Sequence, residues 1–335
     1  CMNNDFLERY PLGNPTAETV FKTYDNFKTY AWGLYETFPA LGYGETNTDN
    51  ISYNSTRGSG ETNWIRGIVV PPSNTTDTPW AQYSFIRRTN LMLDHIETSD
   101  MSETERNHWR SVGYVLADDE TDIIFGERDS RDVIANHILE DLQYAEQNIN
   151  PNGDGANTIS RVVVQTLLSR FCLFEGTWRK YHGLQEADKF LRECKRASEE
   201  VLKVYPNVHN NYDDLFNSLS LNGMTGIILY KAYANDANVV HATSIGGTTA
   251  QSFYNVTRDM VDSYLCSDGR PRGTSQMFLG DKDMYDEFSN RDHRLWLHVT
   301  PPYIVDRSES TTAWDNKWKF TDNPKDRSFI DSINL

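Results

Sequence analysis

The chain has 335 residues, with 32 Lys and Arg against 48 Asp and Glu and a formal net charge of −16. That length supplies enough core to fold without staples, and the acidic balance excludes a protein that neutralises a row of nucleic-acid phosphates. No apolar run approaches the roughly 18 residues that span a bilayer, and 15 Phe, 8 Trp and 18 Tyr are far too many for a disordered acidic chain.

The chain opens at Cys1, followed by Met2. Bacterial lipoproteins are cut immediately before a Cys whose thiol carries diacylglycerol, and two or more acyl chains anchor stably where one binds only marginally. Cys1 is therefore expected to be lipidated. Cys172, Cys194 and Cys266 form no CxxC pair and flank no His at metal-ligand spacing, so they read as small buried thiols.

Residues 15–38 read as a helix, because Val20, Tyr24, Phe27, Ala31, Leu34 and Phe38 recur at intervals of three and four. Residues 39–79 are rich in Gly, Asn, Thr, Ser and Pro, with a strand-like piece at Ile65–Val70; a loop region of this length is usually functional or disordered, and Tyr43, Tyr53 and Trp64 favour order. A second helix spans about 80–97, with Tyr83, Ile86, Asn90 and Leu93 on one face, where Asn90 needs buried hydrogen-bond partners. A third starts at the capping box Ser102-x-x-Glu105 and continues through Trp109 and Tyr114.

Three more helices follow closely. Their apolar faces are Ile134, Ile138, Leu142, Ala145 and Ile149 in 129–149; Val163, Leu167, Phe171, Phe174 and Trp178 in 159–179; and Ala187, Leu191, Cys194, Ala197, Val201 and Tyr205 in 185–205. Shared offsets and short connections are the signature of tetratricopeptide-like helix pairs. Trp32, Trp80, Trp109 and Trp178 sit at helix or motif positions and read as packing. After Pro206 the texture changes: a strand is expected at Gly226–Tyr233, a Gly/Thr-rich loop at 243–249, a short helix at Thr257–Leu265 and a strand at Leu295–Val299. The end, 306–335, is polar and irregular.

Several short motifs, taken in order, resemble the SusD/RagB family of Bacteroidota outer-membrane lipoproteins. They are Asp5–Pro11 behind Cys1, Gly33-Leu-Tyr35 closing the first helix, Trp80-x-x-Tyr83-x-x-Ile86-x-x-x-Asn90, the helix at Asn136–Ala145, Arg161–Gly176 ending in a Gly176-Thr-Trp178 turn, Thr257–Tyr264, Ser267-Asp-Gly269 and Asn290-Arg-Asp-His-Arg294. The resemblance implies one SusD-like domain over 1–335. It is mainly α, with tetratricopeptide-like helix pairs as a scaffold over 15–38, 80–115 and 129–205, and an irregular, loop-rich ligand side with short strands over 39–79 and 206–335. Two departures stand out. Between residues 115 and 116 the family continues its helix and adds a strand with an aromatic-Gly-Asp-Val-Pro turn, and beyond Leu335 it has a further repeat helix pair. These residues are thus expected to be a portion of a longer protein.

Phosphate-loop, zinc-helix, nucleophile-elbow and dinucleotide fingerprints are all missing, and no enzyme or cofactor is expected. The acidic run Asp281–Glu287 is a weak calcium candidate, read first as a solvated surface. Aromatic platforms flanked by polar side chains point instead to sugar, which offers one C–H face and a rim of hydroxyls. The candidates are Trp64 with Arg66, Tyr43 with Asp49 and Asn50, and the Trp314–Trp318 pair. The resemblance then implies a non-catalytic, lipid-anchored binding protein on the outer face of the outer membrane. It would capture an oligosaccharide and cap a TonB-dependent transporter, without nucleic-acid partners. The alternatives are a surface endo-glycosidase and a peptide-binding tetratricopeptide-type adaptor or peptide-importer lid.

Overall fold

The computed structural model describes residues 17–38, 55–56, 83–116, 129–233, 255–282, 284–299, 303–305 and 327–329. The chain is mainly helical and divides into two compact units. The first takes in 1–40, 72–211 and 218–232, and the second 41–71, 212–217 and 233–335.

In the first unit the helix expected over 15–38 is two helices, α1 (Ala17–Val20) and α2 (Tyr24–Leu34), followed by a 3₁₀ turn at Tyr35–Thr37. The break falls at Thr23, whose hydroxyl accepts the Asn26 N–H while the Asn26 side chain accepts the Thr23 N–H. This reciprocal cap gives the backbone an alternative to a continuous helix. The expected face survives the break: Phe27, Ala31 and Leu34 are buried, with Val20, Tyr24 and Phe38 packed against them. Trp32 is not part of that core. It is 51% exposed, and the Lys28 ammonium lies 4.9 Å over its ring.

Next come α3 (Tyr83–Asp94) and α4 (Glu103–Leu116), which pack on α2 and on each other. The capping box forms as expected: the Ser102 N–H and hydroxyl both donate to Glu105, and the Glu105 N–H donates to the hydroxyl. Those bonds hold the Glu105 carboxyl below its usual range. Trp109 is buried, in line with its reading as packing. Asn90 is buried too, yet its Nδ2 has no hydrogen-bond partner among the described residues. Burial pushes the core imidazole of His108, which lies beside Tyr24 and Trp109, down to about 4, so it stays neutral and its Nδ1 accepts the Asn150 N–H at 3.2 Å.

Helices α5 (Arg131–Asn148), α6 (Arg161–Tyr181) and α7 (Ala187–Val204) then pack each on the next, forming the tetratricopeptide-like scaffold. Their buried faces differ from the apolar periodicity. On α5 the buried residues are Ala135, Leu139, Leu142 and Ala145, and Ile134 is exposed. On α6 they include Val164, Leu168, Cys172, Glu175, Gly176 and Arg179, while Phe174 is 58% and Trp178 41% exposed. On α6 the core face thus lies one residue, about 100°, from the apolar stripe, with Val163 still buried, and Trp178 is not the core residue its spacing predicts, whereas on α5 the expected Leu142, Ala145 and Ile149 are buried. On α7 Phe190 and Ala197 are buried, and Leu191, Cys194 and Val201 are only half-buried.

The shift on α6 has an ionic cause. Arg179, on the helix turn after Glu175, donates from Nε to its Oε1 at 2.8 Å, and Arg131 from the start of α5 donates to Oε2 at 2.7 Å. Arg179 also meets Asp132 at 2.7 Å, donates to the Gln185 carbonyl at 2.9 Å and lies 4.9 Å over the Phe190 ring. A buried carboxylate and guanidinium that satisfy each other can occupy a core face that sequence periodicity assigns to apolar residues. The expected Gly176-Thr177-Trp178 turn is likewise helix, since α6 runs on to Tyr181. Gly176 instead lets α7 come close, and a Cβ there would lie 2.8 Å from Leu191 Cγ. Cys172 is a buried free thiol pushed up to about 12 by burial, while Cys266 is buried and Cys194 half-buried.

The strand expected at Gly226–Tyr233 has no strand partner among the described residues. The Asn157 side chain takes that place, accepting the Tyr230 N–H at 3.0 Å and donating to the Tyr230 carbonyl at 2.8 Å, so one amide does the work of a ladder rung.

The second unit is built of short pieces. Strand β1 (Ser55–Thr56) pairs antiparallel with β2 (Asn255–Val256), and β3 (Tyr303–Val305) with β4 (Arg327–Phe329), Tyr303 opposite Phe329. Helices α8 (Tyr212–Asn217), α9 (Arg258–Ser263), α10 (Met284–Phe288) and α11 (His293–His298) belong to the same unit. The Thr257 hydroxyl caps α9 by accepting the Met260 N–H at 3.1 Å, as the expected short helix requires. The strand expected at Leu295–Val299 is instead the body and cap of α11. Asp292 stands at its N-cap, its carboxylate accepting the Arg294 N–H at 3.0 Å. A five-residue apolar run fits either state, and the cap decides. Val261, Phe288 and Leu295 form the buried centre, with Tyr264 and Val299 against it.

Replacing Glu175 by Gln keeps its volume but takes from buried Arg179 its buried carboxylate, leaving it only the exposed Asp132. Urea unfolding is expected to show a loss of about 3–5 kcal/mol. A change below about 1 kcal/mol would mean that the ionic cluster does not hold the α5–α6 face.

Candidate functional site

Every sugar-contact candidate read from the sequence, Tyr43, Asp49, Asn50, Trp64, Arg66, Trp314 and Trp318, lies outside the described residues, as do Cys1, Trp80 and the Ile65–Val70 piece. The described residues bring together a different group in the second unit. It is assembled around Arg291, which is 5% exposed. Its Nη2 donates to the Val261 carbonyl at 2.6 Å and the Tyr264 carbonyl at 2.9 Å, and its Nη1 to the Glu287 carbonyl at 3.1 Å. These are the carbonyl ends of α9 and α10, which have no partner within their own short helices. Burial pushes the Arg291 pKa down, and the carbonyl dipoles hold the cation in place.

The chain on either side of Arg291 is tied down as well. Arg291 bridges Cys266, the Ser267 N–H donates to the Asn290 carbonyl at 2.8 Å and the Asp292 N–H to the Leu265 carbonyl at 2.8 Å. Asn290 has φ +55, a left-handed conformation that Asn tolerates, and its Nδ2 donates to the Met277 carbonyl at 3.0 Å. Tyr264 is therefore fixed from its own backbone, and α11 is launched from a fixed residue.

At the far end of α11, His298 receives a tyrosine hydroxyl at each ring nitrogen. Tyr212 Oη is 2.6 Å from Nε2, and Tyr264 Oη makes a short contact with Nδ1. The ring pairs are tilted or edge-on, with centroids 5.2 Å apart for Tyr212–His298 and 5.9 Å for Tyr264–His298. Phe216, one turn along α8 from Tyr212, packs on it with centroids 4.5 Å apart and is 66% exposed. Burial pushes the Tyr264 phenol up, the Tyr212 hydroxyl adds to that, and the Arg294 charge opposes it, so the phenol stays protonated at neutral pH. Arg294 grips Asp292 from Nε at 3.0 Å and from Nη2 at 2.5 Å, which holds the Asp292 carboxyl below its usual range.

This surface offers exposed aromatic carbon beside hydroxyls, an imidazole and a guanidinium. Aromatic faces take the C–H face of a ring, and the polar tips take its hydroxyl rim. The acidic run, by contrast, is occupied by arginines. Arg258 meets Glu287 at 2.7 Å and Asp281 at 3.1 Å, and Arg272 meets Asp281 at 3.3 Å, with buried Glu287 departing from the solvated reading. Asp283 lies outside the described residues, among which no group of three or more metal-ligating side chains occurs. A polar recess of about 530 Å³ on the scaffold is lined by Gln143, Glu146, Arg161, Glu193 and Arg196, and Arg196 there is consumed by Glu146 at 2.6 Å and Glu193 at 2.8 Å. Among the described residues no helix is long and apolar enough to cross a membrane.

Neither Tyr212, Phe216 nor His298 stood out in the sequence. Tyr264, Asp292 and Arg294 did so only as motif positions. The signal was present: Tyr212 with Phe216 and Arg294 with His298 are both at i, i+4, but the second pair is legible only once 293–298 is helix.

No protein-family model and no curated protein matches the chain. Solved structures do resemble its fold. A SusD-like protein from Bacteroides fragilis is similar over 86% of this chain with a TM-score of 0.61 at 17% identity. A SusD superfamily protein from Parabacteroides distasonis is similar over 77% with a TM-score of 0.54 at 16% identity. A laminarin-binding SusD-like protein is similar over 72% with a TM-score of 0.52 at 14% identity. The chain spans 62%, 62% and 64% of those three structures, less than two thirds of each. At these identities the likeness establishes the fold, which is SusD-like.

Removing the cation at the hub should be felt throughout the second unit. Arg291→Met leaves three carbonyls without their charged donor and is expected to cost about 1.5–3 kcal/mol in thermal unfolding. Unchanged stability would contradict the assembly described here.

Proposed function

We propose, on a SusD-like fold, that this protein binds oligosaccharide at the cell surface without catalysing its cleavage. In this reading Cys1 carries the lipid anchor in the outer membrane, and the captured glycan is passed to a TonB-dependent transporter that the protein caps. The observation that carries the binding role is the Tyr212–Phe216–Tyr264–His298 cluster, an exposed ring beside two hydroxyls held in place by one imidazole. Support also comes from a solved structure of similar fold that is a laminarin-binding protein.

The site suits binding better than bond cleavage. Asp292, the carboxylate that caps α11, is held ionised by Arg294 and so is poorly suited to donate a proton as a general acid. Trp64, Trp314, Trp318 and Tyr43, with Asp49, Asn50 and Arg66, are proposed as further contacts. The described residues of the second unit form short helices and paired two- and three-residue strands around a small core, so the cluster sits on short elements that end in loops.

Isothermal titration against a panel of oligosaccharides tests the reading, with Phe216→Ala, Tyr212→Ala, Trp64→Ala and Trp318→Ala run beside the parent protein. Phe216→Ala is expected to weaken binding by about tenfold, the loss of one stacked ring, with an unchanged melting temperature. Loss of stability with unchanged affinity would show that the ring packs and does not bind. New reducing ends on incubation with glycan would favour the endo-glycosidase alternative, and binding to peptides alone the adaptor.

A further inference from the structure

We propose that the Tyr212–Phe216–Tyr264–His298 cluster selects a sugar ring that bears a carboxylate, a uronic-acid residue, with Arg294 as its counter-charge. This rests on the carbohydrate-binding reading of the same site and adds the class of ligand. The first ground is placement. Arg294 and His298 stand one turn apart on the same face of α11, and His298 is the residue on which both tyrosine hydroxyls converge. The Arg294 charge opposes the burial that raises the Tyr264 pKa, and its own pKa is raised first by Asp292 and in smaller part by the two phenols.

The second ground is a count of donors and acceptors. A neutral imidazole donates from one nitrogen and accepts at the other. Whichever tautomer His298 adopts, one tyrosine donates to the ring and the other accepts from it. The accepting tyrosine keeps its own O–H for a ligand. Arg294 spends Nε and Nη2 on Asp292, and its Nη1 makes no bond among the described residues, so that edge can meet a ligand oxygen. Its side chain is 55% exposed. The carboxylate that caps α11, Asp292, is already taken by the Arg294 guanidinium and backbone N–H. Along α11 the rim therefore offers donors in excess of acceptors.

A neutral sugar presents hydroxyls that seek both donors and acceptors. A carboxylate only accepts, and a guanidinium edge with a hydroxyl beside it matches that demand. The ring's C–H face would lie on Phe216 and Tyr212, with the carboxylate turned toward Arg294. At physiological salt the net charge of −16 repels a polyanion only where its charges come within the Debye length of about 8 Å of the acidic surface, and a short acidic oligosaccharide brings fewer charges that close than a long one.

The test is titration of the full chain in 0.15 M salt with trimers of galacturonate, glucuronate, mannuronate and guluronate, each compared with its methyl ester as the uncharged isostere. At least one acid is expected to bind more than about tenfold tighter than its ester. Arg294→Gln is expected to bring that ratio close to one, and Arg294→Lys to restore part of it, with circular dichroism confirming that both fold. Ester binding equal to or tighter than acid binding overturns the proposal, as does a ratio that survives Arg294→Gln, or no binding by any acid. Failure of the underlying reading looks different: binding of acids and esters alike would be indifferent to Phe216→Ala.

Discussion

One buried cation organises the second unit. Arg291 gathers the carbonyl ends of α9 and α10 and stands immediately before the cap of α11. Helices of five or six residues cannot sustain themselves, because each has more unpaired backbone groups at its ends than paired ones inside. A guanidinium with five fixed N–H donors can satisfy several ends at once, which a lysine cannot. The consequence is positional. Tyr264 is held by its carbonyl, α11 leaves in a set direction, and His298 meets two tyrosine hydroxyls. The aromatic surface follows from an ionic constraint that the apolar pattern does not reveal.

The first unit shows the same physics at larger scale. Glu175 and Arg179 are 3% and 1% exposed, and they turn α6 so that Phe174 and Trp178 lie outside while the ion pair faces the core. Arg131 closes the arrangement by pairing with Glu175 and stacking 4.8 Å over Trp178. An ion pair of this kind adds little net stability over a well-packed apolar core, but breaking it is costly, so it acts as a register device for helices whose apolar content alone would allow more than one packing.

These two clusters explain what was legible in the sequence and what was not. Element type and order came through for the long helices, because a 3.6-residue apolar period persists over four or five turns in α5, α6 and α7. One cap was legible, the Ser102-x-x-Glu105 box, while the equally spaced Thr23–Asn26 cap lay hidden inside a continuous apolar period. The facing of α6 was not, because polar residues carry no weight in an apolar period, and the partner of Glu175 is 44 residues away. The helix at 293–298 and the Asn157 side chain standing in for a strand at Tyr230 were missed for a related reason. Short segments take their state from one cap or one long-range amide and not from their own composition. The site suffered most, since its members come from α8, the end of α9 and the end of α11 and share no motif.

The account stands or falls on whether sugar touches these rings. Aromatic proton–carbon NMR spectra recorded during addition of an oligosaccharide read this directly, because a stacked C–H face shifts the resonances of the ring beneath it. The expected result is a saturable shift of the Phe216 and Tyr212 ring signals together with the His298 ring. Shifts confined to Phe174, Trp178 and Tyr181 on α6, with the second unit silent, would contradict it.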